Sequence, residues 1–112
     1  MDEAIKISKK DMRDYTKFSG LASCGPVAVI LRDKNIGQIE IGMFGPEGDY
    51  IKSFTHYWIR TRQGKIIDLC NPDKNKKGWT YWDITKLKKN EWPDAIWSKD
   101  DVEWWRGKIK GI

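Results

Sequence analysis

The sequence is poor in histidine and cysteine, two residue types that many catalytic and metal sites use. Of its 112 residues, one is histidine and two are cysteine. It contains no Cys-x-x-Cys pair and no His-x-x-x-His pair, which leaves few ways to complete a zinc site. A Walker loop, a Gly-x-Gly-x-x-Gly segment and an acidic metal-binding cluster are also absent. The sequence therefore implies no cofactor.

Long hydrophobic runs are missing as well. The longest, residues 27–31, is far shorter than the roughly 18 residues of a membrane helix. The N-terminus, Met1-Asp2-Glu3, is acidic and lacks the basic-then-apolar layout of a secretory signal. We therefore expect a cytoplasmic protein without a membrane partner. Its length predicts a single compact domain over residues 1–112.

Positive charge and tryptophan are plentiful. The formal net charge is +5, and much of the lysine lies within residues 74–89. Six of the seven tryptophans fall within residues 79–105. Aromatic rings among lysines can stack nucleic-acid bases while the cations contact phosphates. The same rings can close the core of a small domain, and we favour this second interpretation.

The pattern of apolar residues predicts an α+β fold. Helices are expected over residues 8–18, 24–33 and 98–108, with Ser8 and Ser98 as caps and Gly20 ending the first helix. Strands are expected over residues 38–44, 54–61, 65–70 and 79–82, and a polar loop over 71–78. This order predicts N-terminal helices packed on an antiparallel sheet.

Three residues occur in an order that is typical of a catalytic site. Cys24 begins the second predicted helix, His56 lies on a strand, and Asp68 follows one hairpin later. A nucleophile, a base and a carboxylate that orients the base are the requirements of thiol-based acyl transfer. The positive end of a helix dipole favours the thiolate at Cys24.

The turn between the second and third strands decides whether the histidine and the carboxylate meet. A three-residue loop with Gly64 in the left-handed conformation would pair Thr61 with Lys65. His56 and Asp68 would then share one face as diagonal neighbours, together with Trp58 and Cys70. A two-residue loop would move Asp68 to the opposite face.

These residues resemble those of a known family. Cys24 at a helix start, the His-Tyr-Trp segment at 56–58 and Asp68 on the next strand resemble the transglutaminase-like branch of the papain-like cysteine enzymes. That branch includes transglutaminases, arylamine N-acetyltransferases, peptide N-glycanases and small bacterial or viral peptidase-like proteins. The similarity covers residues 23–68.

The resemblance implies a small papain-like or transglutaminase-like core, with the cysteine at a helix start and the sheet carrying the histidine and aspartate. It implies that Cys24 is the nucleophile, His56 the base and Asp68 the orienting acid, and that Trp58 contacts substrate. The expected activity is that of a thiol hydrolase or acyltransferase on a peptide or protein substrate. Peptide hydrolysis is expected first, with transglutamination, deamidation or acetyl transfer as alternatives. No oligomeric state is implied.

Other interpretations remain open. Papain has a glutamine several residues before its cysteine, and residues 15–23 contain none. The chain could therefore be a catalytically silent binding or inhibitor module of viral or bacterial origin. Cys70 adds two further possibilities, a zinc site with His56 and Asp68 or, in an exported protein, a disulfide with Cys24.

Overall fold

The structure, a computed structural model, describes residues 5–112; the acidic start of the chain, residues 1–4, lies outside them. Its elements are three helices and a four-stranded antiparallel sheet, an α+β fold as expected. In chain order they are α1 (Lys9–Ser19), α2 (Cys24–Asp33), β1 (Gln38–Gly45), β2 (Phe54–Arg60), β3 (Ile66–Ile67), β4 (Thr80–Lys86) and α3 (Lys99–Trp105).

The first two helices begin and end close to the predicted residues. The Ser8 side chain caps α1 by accepting a 3.0 Å hydrogen bond from the Asp11 amide, and Gly20, at φ 74°, ends it. Helix α2 spans the predicted residues, with Pro26 in its first turn, where no N–H donor is needed. Its residues 24–31 are all buried, as its apolar composition predicts.

The sheet has the strand order β3-β2-β1-β4. Strand β1 occupies a central position, where Gly42 is paired with His56 and Glu40 with Trp58. One face of the sheet carries Ile39, Tyr57, Ile59 and Ile67 into a core shared with α2 and α3. The opposite face carries Glu40, Phe44, His56, Trp58 and Tyr81, as the register of β1 with β2 and β4 shows. The site described below uses this second face.

The turn between β2 and β3 is the three-residue loop. The Thr61 amide donates to the Lys65 carbonyl at 2.8 Å, and the Gly64 amide donates back to the Thr61 carbonyl at 2.9 Å. Gly64 has φ +85°, a conformation that glycine adopts without a Cβ penalty. The resulting register pairs Ile59 with Ile67, which confirms the predicted alignment.

Three predicted boundaries are wrong. The third strand was expected over 65–70 but consists of Ile66–Ile67, after which the chain turns away from β2. The fourth was expected over 79–82 but continues to Lys86, because its exposed residues pair with β1 around a bulge between Ile41 and Met43. The last helix was expected to reach residue 108 but ends at Trp105, shortly before Gly107 at φ +83°.

Helix α3 packs on the core through Val102 and Trp105, and its N-terminal turn adds a polar contact with α1. Ser98, the predicted cap, forms a capping box with Asp101. The Asp101 carboxylate also accepts a 2.7 Å hydrogen bond from the hydroxyl of Tyr15, a fully buried residue of α1. Among residues 5–112, no helix is long and apolar enough to cross a bilayer.

Candidate active site

Cys24 is the first residue of α2 and is 7% exposed. The first amides of an α-helix have no intrahelical acceptor, so the start of α2 presents N–H donors and the positive end of the helix dipole. The Cys24 side chain is close enough to His56 to contribute to a raised imidazole pKa. The structure therefore places the predicted nucleophile beside the predicted base.

His56 and Asp68 are in direct contact. The imidazole Nε2 lies 2.7 Å from Asp68 Oδ1, and both side chains are buried. This contact depends on how short β3 is. Strand β1 pairs with β2 at His56, but within the described residues β3 pairs only with Ile59 and Arg60. The edge of β2 opposite β1 is therefore open beside His56, and Asp68 leaves the ladder just after Ile67.

The surroundings of His56 favour its charged form. Burial alone would lower the pKa of the imidazole, but the hydrogen bond with Asp68 and the interaction with Cys24 outweigh burial and raise that pKa to about 9. At neutral pH the ring is therefore protonated, with a carboxylate on one side and a thiol or thiolate on the other. An imidazolium in this position can stabilise a thiolate and can donate a proton.

A fourth side chain, not identified from the sequence, completes the group. The Tyr81 hydroxyl of β4 donates a 2.7 Å hydrogen bond to Asp68 Oδ2, so one carboxylate is held between His56 and Tyr81. Burial and the charge of Asp68 raise the Tyr81 pKa, so the phenol stays protonated and remains a donor. Tyr81 reaches this position because it pairs with Phe44 of β1, and this pairing of distant strands was not predicted from the sequence.

Asn71 lies close to the same cluster. It is buried, its Oδ1 accepts a hydrogen bond from the Asp73 amide at 2.9 Å, and its side chain is close enough to Tyr81 to oppose the rise in the Tyr81 pKa. Its Nδ2 is buried and has no hydrogen-bond partner among residues 5–112. The loop that follows β3 thus contributes the Asp68 carboxylate and, close to Tyr81, the Asn71 side-chain amide.

Trp58, expected to contact substrate, is 1% exposed. Its indole N–H donates to Glu40 Oε1 at 2.9 Å, and its ring packs edge-on against Tyr81 at a centroid distance of 4.7 Å. The Trp58 ring is therefore covered by neighbouring side chains, among them His56 and Tyr81, and has no exposed face that a substrate could contact.

Cys70 lines a small crevice together with Cys24 and Asp68. Burial, and then the negative charges of Cys24 and Asp68, raise the pKa of the Cys70 thiol well above its ordinary value. Both cysteines are free thiols in the structure. No set of three or more histidine, cysteine or acidic side chains within residues 5–112 is arranged to hold a metal ion.

Access to the cysteine is narrow. The crevice beside it measures about 10 Å³, close to the space needed for one water molecule. The Trp97 indole lies against the first turn of α2, where a Cβ on Gly25 would be 2.4 Å from the ring. The same indole N–H donates to the Ala22 carbonyl at 2.9 Å. The segment before α3 therefore covers the start of α2.

The tryptophans of the C-terminal third mainly pack inside the molecule. Trp97 and Trp105 are buried, and Trp79, Trp82 and Trp104 are half-buried. Their partners are other aromatic rings, such as Tyr15 against Trp104 and Trp105. This arrangement agrees with core closure, the interpretation that we favoured, rather than with an exposed row of stacking platforms.

Comparison of the chain with protein-family models, with curated proteins and with solved structures found no match.

Proposed function

We propose that this protein is a cysteine-dependent acyl-transfer enzyme in which Cys24 is the nucleophile, His56 the acid and base, and Asp68 the residue that orients the imidazole. One observation carries the proposal: a single buried imidazole contacts a carboxylate through Nε2 and interacts with a thiol at a helix start. The same arrangement supports a transglutaminase-like core, with peptide or protein amides as the substrate class.

The chemistry follows from the charges at the site. The Cys24 thiolate attacks the substrate carbonyl and forms a C–S bond, while the oxyanion lies near the amides at the start of α2. The His56 imidazolium gives its proton to the leaving amine as the C–N bond breaks. Water, or a second amine, then loses a proton to His56 and attacks the thioester, which releases the thiolate. Asp68 keeps the ring in one orientation through both steps.

Alkylation of the two cysteines tests the nucleophile without a known substrate. The protein is treated with iodoacetamide across pH 6 to 9, and Cys24 and Cys70 are quantified separately by mass spectrometry. We expect Cys24 to react near neutral pH and Cys70 to stay largely unmodified in the folded protein, because its raised pKa keeps it a thiol.

A matched variant links this reactivity to the imidazole. In His56→Gln the neutral-pH reactivity of Cys24 should fall at least tenfold, since no imidazolium remains to stabilise the thiolate. Equal reactivity of Cys24 in the two proteins, or a rate no faster than that of a free thiol, would show that the residue is not activated.

A catalytically silent binding module is the second candidate, and the narrow access to Cys24 favours it. The side chains of Cys24, His56 and Asp68 all belong to residues that are 7% exposed or less. A thioester or activated-ester substrate separates the candidates, because acyl-enzyme formation at Cys24 adds a defined mass. Alkylation without acylation by any such ester would support the binding module over the enzyme.

A further inference from the structure

A large concave surface lies away from Cys24. It is a groove of about 880 Å³ between the end of α2, the start of β1, the β2–β3 turn and the end of β4. Arg60, which lines it, is four residues beyond His56 on β2, roughly 13 Å along a strand. We call this surface the basic groove. Its volume lies within the range of ordinary ligand sites.

The groove has an excess of positive charge. Its lining includes five cations and two carboxylates: Arg32, Arg60, Arg62, Lys86 and Lys89, against Asp33 and Glu40. Glu40 is 2% exposed, and its Oε1 already accepts hydrogen bonds from Trp58 and Arg60. The charge that a ligand would meet is therefore mainly that of the arginines and lysines.

Hydrogen bonds to other parts of the protein fix two of the guanidinium groups. Arg60 Nε donates to Glu40 Oε1 at 3.1 Å, and its Nη1 donates to the Gly64 carbonyl at 2.8 Å. Arg32 Nη1 donates to the Glu91 carbonyl at 2.5 Å. Within the described part of the chain, Nη2 of each arginine has no hydrogen-bond partner. Two fixed forks with unused donors suit the oxygen atoms of a phosphate.

Three exposed cations also line the groove. Arg62, Lys86 and Lys89 are exposed and form no salt bridge with a carboxylate of residues 5–112. No aromatic side chain belongs to the lining, and its apolar members are Ile39, fully buried, and Leu87. Such a surface suits a polar anion and provides no ring on which a base could stack.

We propose that the basic groove binds the phosphate groups of a polyphosphate-bearing ligand. The fixed guanidinium groups of Arg32 and Arg60 would contact one phosphate, and Lys86, Lys89 and Arg62 would neutralise its neighbours. The proposal is independent of the chemistry at Cys24, because no residue of the groove belongs to that site.

Binding is measured with two probes at low salt: inorganic tripolyphosphate by calorimetry and a short fluorescein-labelled oligothymidylate by anisotropy. The groove variant is Lys86→Gln with Lys89→Gln. The control is Lys74→Gln with Lys77→Gln, which removes the same charge from the exposed loop after β3. We expect roughly tenfold weaker binding for the groove variant, with a salt slope lower by about two, and wild-type affinity for the control.

The two probes distinguish the source of the phosphates. Binding of tripolyphosphate in the groove supports a small phosphorylated ligand, and binding of the oligonucleotide alone supports a nucleic-acid strand. When either probe is titrated into the protein, NMR chemical-shift changes of backbone amides should occur at Gly64 and Asn90 rather than in the loop at 71–78. Absence of binding by both probes at low salt overturns the proposal, as does equal weakening in the groove and control variants.

Discussion

At the scale of single residues, Asp68 determines how the candidate site is organised. Its two oxygens accept from different elements, Oδ1 from His56 on β2 and Oδ2 from Tyr81 on β4. A carboxylate held at both oxygens cannot rotate away from the imidazole without losing the second hydrogen bond. Tyr81 is thus a positioning residue: under the proposed mechanism it acts on Cys24 through Asp68 and His56.

Replacing Tyr81 tests this role. Tyr81→Phe keeps the ring packed against Trp58 but removes the donor to Asp68, so we expect a several-fold to tenfold slower alkylation of Cys24 at pH 7. The fold should be retained, with a loss of about 1–3 kcal/mol in the free energy of unfolding. Alkylation by iodoacetamide and urea unfolding measure the two effects.

Tyr50→Phe is the matched control for Tyr81→Phe. The Tyr50 hydroxyl donates to Asp83 Oδ2 at 2.7 Å, the same kind of bond at an exposed position away from the Cys24 site. Its loss should leave alkylation of Cys24 unchanged. If the two variants alkylate at the same rate as the wild type, Tyr81 has only a packing role.

At the scale of elements, the N-terminal turn of α3 adds a polar contact between the last helix and α1. Asp101 Oδ2 accepts from the Ser98 amide at 2.7 Å, and Oδ1 accepts from the buried Tyr15 hydroxyl. Asp101→Ala removes the cap and leaves that hydroxyl without its acceptor, so we expect a loss of roughly 2–4 kcal/mol in unfolding free energy. Asp100→Ala, in the same turn but exposed, should change it little. Thermal and urea unfolding measure the difference.

Structural features that depend only on neighbouring residues were predicted correctly from the sequence. The caps Ser8 and Ser98, the terminator Gly20 and the turn residue Gly64 each fix a backbone conformation within a few residues. The three-residue turn in turn fixed the register that brings Asp68 to His56.

Sequence reasoning failed where pairing with a distant strand decides the structure. Residues 83–86 are exposed and, apart from Ile84, polar, and Asp83 has φ +53°. They nevertheless continue β4 because β1 offers them hydrogen bonds. Tyr81 lay within the predicted fourth strand, but it was not associated with Asp68 because the pairing of that strand with β1 was not predicted. The buried carboxylate of Glu40 was missed for a similar reason, because alternation in β1 assigned the core to the face of Ile39, and the second face is buried too.

At the scale of the whole molecule, the basic groove and the thiol site use different parts of the same sheet. The thiol site lies beside the open edge of β2 near His56, and the groove lies at the end of the sheet where β2 reaches Arg60. The chain carries a net charge of +5, and the five cations of the groove lie together rather than being spread evenly. Charge reversal within the groove should therefore alter anion binding without changing alkylation of Cys24.

The charge state of His56 should make the stability of the whole molecule depend on pH. The pKa of this residue is about 9 in the folded protein against 6.5 for an ordinary histidine, so the folded state holds a proton that the unfolded chain releases between these values. Binding of this proton stabilises the folded state by about 3 kcal/mol. This contribution is fully present below pH 6.5 and is lost as the pH rises through 9. Urea unfolding under reducing conditions from pH 6 to 9.5 measures it.

Two variants assign this pH dependence to the imidazole. In His56→Gln the titrating group is absent, so the slope of unfolding free energy against pH should become nearly flat between pH 6.5 and 8, below the range in which the Cys70 thiol adds its own pH dependence. In Asp68→Asn the carboxylate that raises the pKa of His56 is lost, so NMR titration of this single histidine should give a lower pKa. A His56 pKa unchanged by Asp68→Asn would contradict the orienting role of Asp68, and with it the arrangement on which the proposed mechanism depends.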